Sequence, residues 1–213
     1  MMRVVVFGRE GKVGSVLIPG LAAAGHEVTG VEIGETVELA GHDAAVDFTA
    51  PAAVVGNASA ALAAGVPCVI GTTGLTPDGL RTLDEAAKGA GVPCFLVPNF
   101  AIGAVLMMRF AEEAMKHMRR AEIVEEHHET KVDAPSGTAK ATAARMGGDV
   151  AIHSVRLPGA IANQEVILGA LGQTLRIRHD TTSREAFVPG VVLALERLDR
   201  LPAGLTVGLE AVM

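Results

Sequence analysis

The stretch Val4-Val5-Val6-Phe7-Gly8-Arg9-Glu10-Gly11-Lys12-Val13-Gly14 decides how the first half of this chain folds. Its first four residues form an apolar run without alternation, which is typical of a parallel strand buried on both faces. The three glycines allow a tight turn and a close approach of the backbone to a pyrophosphate, and a helix should begin there and run to about Ala24, where Gly25 ends it. Glycines alone could mark a plain strand-to-helix turn, but the order of strand, turn and helix favours a dinucleotide-binding unit.

An acidic residue stands where such a unit holds the ribose of its cofactor. The next strand, Glu27–Val31, leads to Glu32, at roughly the spacing of about 20 residues beyond the glycines that is typical of a ribose-binding carboxylate. Glu32 favours the diol of NADH and repels the 2′-phosphate of NADPH, whereas Arg9 or Lys12 could offset that repulsion. We therefore expect both NADH and NADPH to be used, with NADH preferred.

Strands and helices alternate along the rest of the first half. The sequence predicts strands over residues 44–49, 66–70 and 92–97 and helices over residues 52–64 and 77–90. Thr76 should cap the second helix, with Pro77 in its first position. This pattern predicts an α/β fold, a Rossmann-type doubly wound parallel sheet.

Ligands of such a sheet bind beyond the carboxyl ends of its strands. The loops at those ends are residues 47–51, 71–74 and 98–100. We expect them to line the nicotinamide half of the cofactor site, although each could also be only a turn, because Gly, Thr, Pro and Asn are turn formers.

Composition limits the classes of function. The chain has 213 residues, of which 49% are hydrophobic, so it can form one large domain or two small ones. A net charge of −6 without a basic run argues against nucleic-acid binding. The first apolar run is too short for a signal peptide or membrane span. Cys68 and Cys94 should be buried thiols in a reducing compartment, so we expect a cytoplasmic protein.

A second decisive segment, residues 125–139, reads Glu-Glu-His-His-Glu-Thr-Lys-Val-Asp-Ala-Pro-Ser-Gly-Thr-Ala. A strand over residues 121–127 leads into it, and His127 and Lys131 would share one face if that strand continued. Loop-forming residues predict a turn instead, which can bring both imidazoles, His127 and His128, toward one ligand. Such a cluster suits an anionic substrate that must be protonated.

A helix over residues 139–146 should follow this segment. The free N–H groups of Ser136, Gly137 and Thr138 should then lie at its N-terminus, which attracts carboxylate or phosphate.

Two other interpretations of the histidine segment are possible. It could be a solvated strand end. It could also be a metal site, but adjacent histidines on a strand chelate poorly, and no His-x-x-x-His pair or close cysteine pair occurs, so we expect no metal.

The second half of the chain predicts a smaller unit. A helix from Gly103 should bury the face formed by Leu106, Phe110, Ala114 and Met118. Strands are expected over residues 150–157, 164–170 and 173–179, then a helix over 183–198 that bends near Pro189-Gly190, and a strand near 205–209 that returns to the first unit. The domains should therefore be residues 1–102 with about 185–213, and residues 103–184.

With the glycine turn, Gly71-Thr72-Thr73-Gly74, Pro98-Asn99-Phe100 and residues 125–139 all in order, the chain resembles the 4-hydroxy-tetrahydrodipicolinate reductase family, also called dihydrodipicolinate reductase, over nearly its whole length. The resemblance implies a dinucleotide-binding domain and an α+β domain that binds substrate and whose open sheet builds a homotetramer. It also implies NAD(P)H-dependent reduction of 4-hydroxy-tetrahydrodipicolinate, a small cyclic dicarboxylate, to tetrahydrodipicolinate in lysine and diaminopimelate synthesis.

The resemblance also assigns residues. Lys131 resembles the proton donor and His127 the second catalytic group, and Arg184 resembles a family position near the end of the substrate domain. The implied substrate ligands are His128, Ser136, Gly137 and Thr138. The implied cofactor contacts are Gly8, Gly11, Lys12, Val13, Gly14, Glu32, Gly71, Thr72, Thr73, Val97, Pro98, Asn99 and Phe100.

The chain departs from the family pattern in being shorter than many members and in carrying Asn163-Gln164-Glu165 where many have a Glu-His pair. Three rival functions stay open. A non-catalytic NAD-binding regulator would keep the glycines and Glu32 but has no use for Lys131 beside two imidazoles. A metal-dependent hydrolase could use Glu126 and His128, and a dehydrogenase of another amino-acid precursor, such as aspartate or homoserine, could use the same cofactor fold.

Overall fold

The computed structural model describes residues 1–32 and 34–213. These residues form two compact units. Unit 1 comprises Met1–Phe100 and Arg184–Met213, and unit 2 comprises Ala101–Ser183. The chain therefore leaves unit 1 once, builds unit 2 from one continuous segment, and returns.

Unit 1 is a six-stranded parallel sheet with helices between its strands. The strand order is β10-β5-β4-β3-β1-β2, which confirms the Rossmann-type doubly wound sheet. Its strands are β1 (Arg3–Phe7), β2 (Glu27–Val31), β3 (Ala44–Asp47), β4 (Cys68–Ile70), β5 (Pro93–Leu96) and β10 (Gly204–Val207), and its helices are α1 (Gly14–Ala23), α2 (Pro51–Ala63), α3 (Pro77–Ala90) and α6 (Val188–Glu196).

Local chemistry explains where these elements begin and end. The β1 residues Val4, Val5 and Val6 have no exposed surface, as a strand covered on both faces requires. The α3 helix begins at Thr76, whose hydroxyl accepts a hydrogen bond from the Gly79 N–H at 3.1 Å. It ends at Gly91, which has a left-handed backbone with φ of 70°.

The strand order places a crevice at one edge of the sheet. The connection that follows β1 leads to β2 on one side, whereas the connection that follows the adjacent strand β3 leads to β4 on the other side. The two connections therefore leave in opposite directions and open a gap at the carboxyl ends of β1 and β3. The loops that follow β1, β3, β4 and β5 meet at this edge.

Unit 2 is a four-stranded mixed sheet, in the order β7-β6-β8-β9, with two helices. Its elements are α4 (Ile102–Met115), β6 (Arg120–His127), α5 (Gly137–Arg145), β7 (Ala151–Arg156), β8 (Ala162–Ala170) and β9 (Gln173–Thr181). The β6–β7 pair is parallel and the other two pairs are antiparallel. Helices α4 and α5 pack on one face of the sheet, over Ile123, Val166 and Leu168. The α+β class predicted for this part is confirmed.

The apolar face predicted for α4 is only partly right, because Ala114 and Met118 pack against the unit 2 core but Phe110 does not. The helix buries Ala104, Met107, Met108 and Ala111, whereas Phe110 is 57% exposed. Apolar residues surround much of this helix, so residues at four-residue spacing occur on more than one face and the spacing cannot select the buried one.

The helix predicted over residues 183–198, with a bend near Pro189-Gly190, is divided in the structure, and the division lies just before Pro189. A 3-10 helix, Arg184–Phe187, precedes α6, and Pro189 lies in the first turn of α6. Proline is tolerated there because the first-turn N–H groups have no partner inside the helix.

Among the described residues, no helix combines the length and the apolar character that a bilayer crossing requires.

Candidate active site

The glycine turn after β1 is a tight backbone cradle. Gly8 has φ of 88°, and its N–H donates to the Val31 carbonyl at 2.9 Å. A Cβ on Gly14 would lie 2.0 Å from the Gly8 carbonyl oxygen. Only glycine fits these two positions, and α1 begins at Gly14 with its N-terminus at the cradle.

The acidic residue after β2 lies next to this turn. The Glu32 carboxylate accepts a hydrogen bond from the Glu10 N–H at 2.9 Å. The Arg9 guanidinium is already paired with Glu35 at 2.9 Å and with Glu10 at 3.3 Å. Glu35 also accepts from the Glu32 N–H at 2.9 Å, so the acidic side chains here outnumber the single arginine.

A buried aspartate joins two of the loops at the crevice. Asp47, which has no exposed surface, accepts hydrogen bonds from the N–H and the hydroxyl of Thr49 at 2.9 and 2.7 Å, from Asn57 at 2.9 Å and from the Thr72 hydroxyl at 2.9 Å. These bonds fix the loop after β3 against the loop after β4.

The other predicted cofactor contacts differ in their exposure to solvent. Thr73 and Pro98 are exposed and Asn99 is half-buried, whereas the side chains of Val97 and Phe100 are buried. The Phe100 ring packs against Phe48 with a centroid distance of 5.4 Å. Val97 and Phe100 therefore belong to the core of unit 1 and have almost no exposed surface.

These features fit a dinucleotide. A glycine cradle with no room for Cβ atoms suits a pyrophosphate, the N-terminus of α1 favours its charge, and Glu32 suits ribose hydroxyls. The residues of unit 1 thus have the donors and the acceptor that an NAD(P)H cofactor needs.

The end of β6 in unit 2 carries a buried carboxylate beside a histidine. Glu125 has no exposed surface. Arg156, on the neighbouring strand β7, donates to both of its oxygens, at 2.9 and 3.0 Å. The Ser136 N–H donates to Glu125 at 3.2 Å, and Nδ1 of His127 contacts the same carboxylate.

These contacts set the charge of both groups. Burial raises the pKa of Glu125, but hydrogen bonds from Arg156, Ser154 and His127 outweigh it and hold the pKa at about 2. Burial lowers the pKa of His127, and Lys131 and Arg156 lower it further, against the opposite effect of Glu125. Glu125 is therefore ionised and His127 neutral at pH 7.

The chain turns directly after His127, as predicted. The strand ends there, and the Lys131 N–H donates to the His128 carbonyl at 3.1 Å. The Lys131 ammonium binds Asp133 at 2.7 Å and is only 21% exposed. Nδ1 of His128 lies 2.7 Å from the Thr130 hydroxyl, so each basic group of the turn has a defined neighbour.

The prediction that Ser136 offers a free N–H is wrong, because that group donates to Glu125. The Ser136 hydroxyl caps α5 by accepting from the Ala139 N–H at 3.2 Å, and the residue is 3% exposed. Gly137, the first residue of α5, is exposed, and no atom lies within 4 Å of a Cβ built on it. The end of α5 is therefore open to a ligand at Gly137, next to Thr138.

Sequence reasoning assigned no individual role to four contributors to these sites, of which the first three lie in segments that were singled out: Asp47, Glu125, Asp133 and Arg156. Glu125 lies two residues before His127, so strand alternation could have placed both side chains on one face. Arg156 is distant from Glu125 in sequence, and no residue near Arg156 indicates that the two side chains pair.

No group of three or more His, Cys, Asp and Glu side chains arranged to hold a metal ion occurs in residues 1–32 and 34–213.

The Glu125 carboxylate should make stability depend on pH. Its pKa is about 2 in the folded protein, against 4.5 for an ordinary glutamate, so its contribution is fully present above about pH 4.5 and is lost as the pH falls through about 2. The difference corresponds to about 3 kcal/mol. In urea unfolding, the free energy of unfolding of the wild type should exceed that of Glu125→Gln at pH 7, and the gap should narrow toward pH 3.

Glu122→Gln is the matched control, because Glu122 contacts His153 on the same sheet at 2.9 Å but is exposed. That variant should change the stability by less than about 1 kcal/mol. A gap between wild type and Glu125→Gln that is equally large at every pH would contradict the role of the ionised carboxylate.

Comparison with known proteins agrees with both units. The family model described as the N-terminus of dihydrodipicolinate reductase matches residues 20–100, and the model described as its C-terminus matches residues 103–213. A 4-hydroxy-tetrahydrodipicolinate reductase of Moorella thermoacetica is 41% identical over 262 aligned positions, which cover 100% of this chain and 98% of the relative. That alignment is longer than this chain, so the relative has segments that this chain lacks.

Two further proteins extend the comparison. A 4-hydroxy-tetrahydrodipicolinate reductase of Desulfitobacterium hafniense is 46% identical over 216 residues, covering 89% of this chain and 80% of the relative. The structure of a dipicolinate-bound dihydrodipicolinate reductase from Paenisporosarcina sp. TG-14 has a TM-score of 0.87 and 30% identity and covers 100% of both chains. A glycine cradle with an acidic partner in one unit, a histidine and lysine turn in the other, and matches across both place this chain in the dihydrodipicolinate reductase family.

Proposed function

We propose that this protein reduces 4-hydroxy-tetrahydrodipicolinate to tetrahydrodipicolinate with NAD(P)H, in lysine and diaminopimelate biosynthesis. The observation that carries the proposal is the turn after β6, where the Lys131 ammonium, two imidazoles and the N-terminus of α5 belong to one short segment of a chain that has a dinucleotide cradle in its other unit. Family membership supports the same conclusion.

The substrate has two carboxylates, and unit 2 has groups that suit them. Gly137 and Thr138 begin α5, where the helix dipole favours negative charge. His128 lies in the same turn and can donate from its ring. We assign His128, Gly137 and Thr138 to binding of the carboxylates, and we assign Ser136 to holding the turn rather than to direct contact, because its N–H and hydroxyl are both used within the protein.

The conversion replaces a hydroxyl group by hydrogen, so one hydride and one proton enter and water leaves. NAD(P)H supplies the hydride when bound. We assign the proton to Lys131, whose ammonium is held by Asp133 at 2.7 Å and stays partly exposed. His127, neutral and fixed by Glu125, is the second catalytic group.

The rival functions have less support. A non-catalytic NAD-binding regulator would leave the Lys131–Asp133 pair and the Glu125–Arg156 pair without a purpose, and a metal-dependent hydrolase has no ligand cluster among the described residues. A dehydrogenase of another amino-acid precursor would match the fold of unit 1, but the family matches extend through unit 2 as well.

We further propose the division of labour between the units. Residues 1–102 with about 185–213 bind the dinucleotide, and residues 103–184 bind substrate and form a homotetramer in the cytoplasm. Helices α4 and α5 occupy one face of the unit 2 sheet. The opposite face carries half-buried apolar side chains, Val124 and Ile167, between charged pairs such as Arg178–Glu126 at 3.0 Å, a composition suited to contact with further copies of the chain.

Light scattering on the purified protein should give four times the mass of the 21.9 kDa chain. Replacing Ile167 by Lys would place an unpaired charge on the proposed contact face, so that variant should dissociate. A monomeric wild type would contradict the homotetramer and leave the reductase proposal untouched.

Lys131→Ala should lower kcat by about 10²-fold, as expected for loss of a general acid, with a smaller change in the KM for the cofactor. The assay couples the purified protein to a dihydrodipicolinate synthase reaction and follows the loss of reduced nicotinamide absorbance.

Lys116→Ala is the control, because Lys116 is an exposed lysine of unit 2 whose ammonium pairs with Glu113 at 2.6 Å, outside the turn after β6. It should keep wild-type turnover. Near-normal turnover in Lys131→Ala would remove Lys131 from the proton-donor role, and no activity in the wild type would refute the reductase proposal.

Cofactor preference follows from the charges around Glu32. We propose that NADH is preferred, because Glu32 repels a 2′-phosphate and Glu35 already neutralises Arg9. The wild-type kcat/KM should be higher with NADH than with NADPH, and Glu32→Gln should lower that ratio by about tenfold, equivalent to about 1.4 kcal/mol.

Glu27→Gln makes the same change of charge at the opposite end of β2 and should leave the ratio unchanged. A wild type that strongly prefers NADPH would overturn the proposed preference.

A further inference from the structure

The Glu125–Arg156 pair connects every part of the unit 2 site. Glu125 accepts two hydrogen bonds from Arg156, one from the Ser136 N–H at the start of α5, and one from His127. Arg156 in turn donates to the Asp133 carbonyl at 2.7 Å. Strand β6, strand β7, the turn and α5 therefore meet at one buried ion pair.

The carboxylate determines which nitrogen of His127 carries a proton. An ionised glutamate only accepts hydrogen bonds, so the ring nitrogen that contacts it, Nδ1, must be the donor. In a neutral imidazole the other nitrogen, Nε2, then has a free lone pair and acts as an acceptor. The side chain of His127 is 13% exposed, so the ring is held largely inside the protein with Nε2 on the side away from Glu125.

We propose that Glu125 is a positioning residue of the reductase: with Arg156 it fixes His127 as the Nδ1–H tautomer, so that Nε2 accepts a hydrogen bond or a proton at the reacting centre. This inference rests on the proposed function for the reaction that it serves, but the tautomer itself can be measured without any reaction.

The same ion pair orients the lysine of the turn. Arg156 holds the Asp133 backbone through its carbonyl, and the Asp133 carboxylate holds the Lys131 ammonium at 2.7 Å. His127 and Lys131 are thus both fixed, by different routes, to one arginine–glutamate pair. A residue that supports two catalytic groups in this way affects their geometry without touching substrate.

Four charged groups face His127. Glu125 on β6 raises its pKa, Lys131 in the turn and Arg156 on β7 lower it, and Asp133 completes the set. Removing the Glu125 charge takes away the raising effect, so the pKa of His127 should fall in Glu125→Gln. A change that only loosened the fold would expose the ring and raise the pKa of His127 toward its ordinary value, which is the opposite direction.

The first test is the tautomer of His127 in the wild-type protein, by ¹⁵N NMR of histidine-labelled protein at neutral pH, with His127→Asn used to assign the resonance. We expect a protonated Nδ1 and an unprotonated Nε2. The opposite tautomer, with the proton on Nε2, would overturn the proposal. This measurement needs no Glu125 variant, so it decides the question even if Glu125→Gln fails to fold.

The second test compares Glu125→Gln with Glu122→Gln, which removes the charge of an exposed glutamate on the same strand, β6, that contacts His153 on β7. In Glu125→Gln, kcat should fall by about 10- to 100-fold, a loss typical of removing a group that orients a site residue. The KM for NADH should change less than twofold, and the acidic limb of the kcat profile should move to lower pH. Glu122→Gln should match the wild type in all three quantities.

The outcomes separate this inference from the function on which it rests. Wild-type kcat and an unmoved pH profile in Glu125→Gln would overturn the positioning role while the reductase activity stands. An inactive wild type would refute the reductase instead, and the NMR result would still show whether His127 adopts the Nδ1–H tautomer that contact with Glu125 requires.

Discussion

A carboxylate shut off from water is stable only where donors inside the protein satisfy it, and each unit of this chain is organised around one such group. In unit 1, Asp47 gathers donors from two loops and from α2. In unit 2, Glu125 gathers donors from a neighbouring strand, from the start of α5 and from His127. Both carboxylates lie near the carboxyl end of a strand. Their hydrogen bonds hold the turn-forming segments that follow in one conformation.

Pairing with carboxylates also limits where positive charge is available to a ligand. Arg156 is neutralised by Glu125 and Arg9 by Glu35, so neither arginine offers a full charge to an anion. In a protein with a net charge of −6, the proposed dicarboxylate site therefore depends on a few local donors, namely Lys131, His128 and the open end of α5. The small number of charged donors favours selectivity among anions, because an anion gains affinity only where its carboxylates match those donors in position.

Much of the fold follows from local sequence. Local signals predict individual elements of unit 1: the apolar run Val4 to Val6 predicts a buried strand, Thr76 predicts the start of α3 and Gly91 its end. The alternation of such strands and helices along the chain then predicts the parallel sheet. The turn beyond His127 was likewise readable from its loop-forming residues. The buried face of α4 was not, because its apolar residues are not confined to one side. The pairing of Arg156 with Glu125 was not either, since a contact across 31 positions depends on strand register rather than on neighbouring residues.

The last strand gives the fold a particular order of completion. Strand β10 pairs with β5 at the edge of the unit 1 sheet, although more than a hundred residues, including all of unit 2, separate them in the chain. During synthesis from the N-terminus, the edge of β5 that later pairs with β10 stays unpaired while the whole of unit 2 emerges from the ribosome. The inserted unit, being continuous in sequence, can collapse first, and a nascent chain halted before residue 204 would still present an edge open to association with other strands.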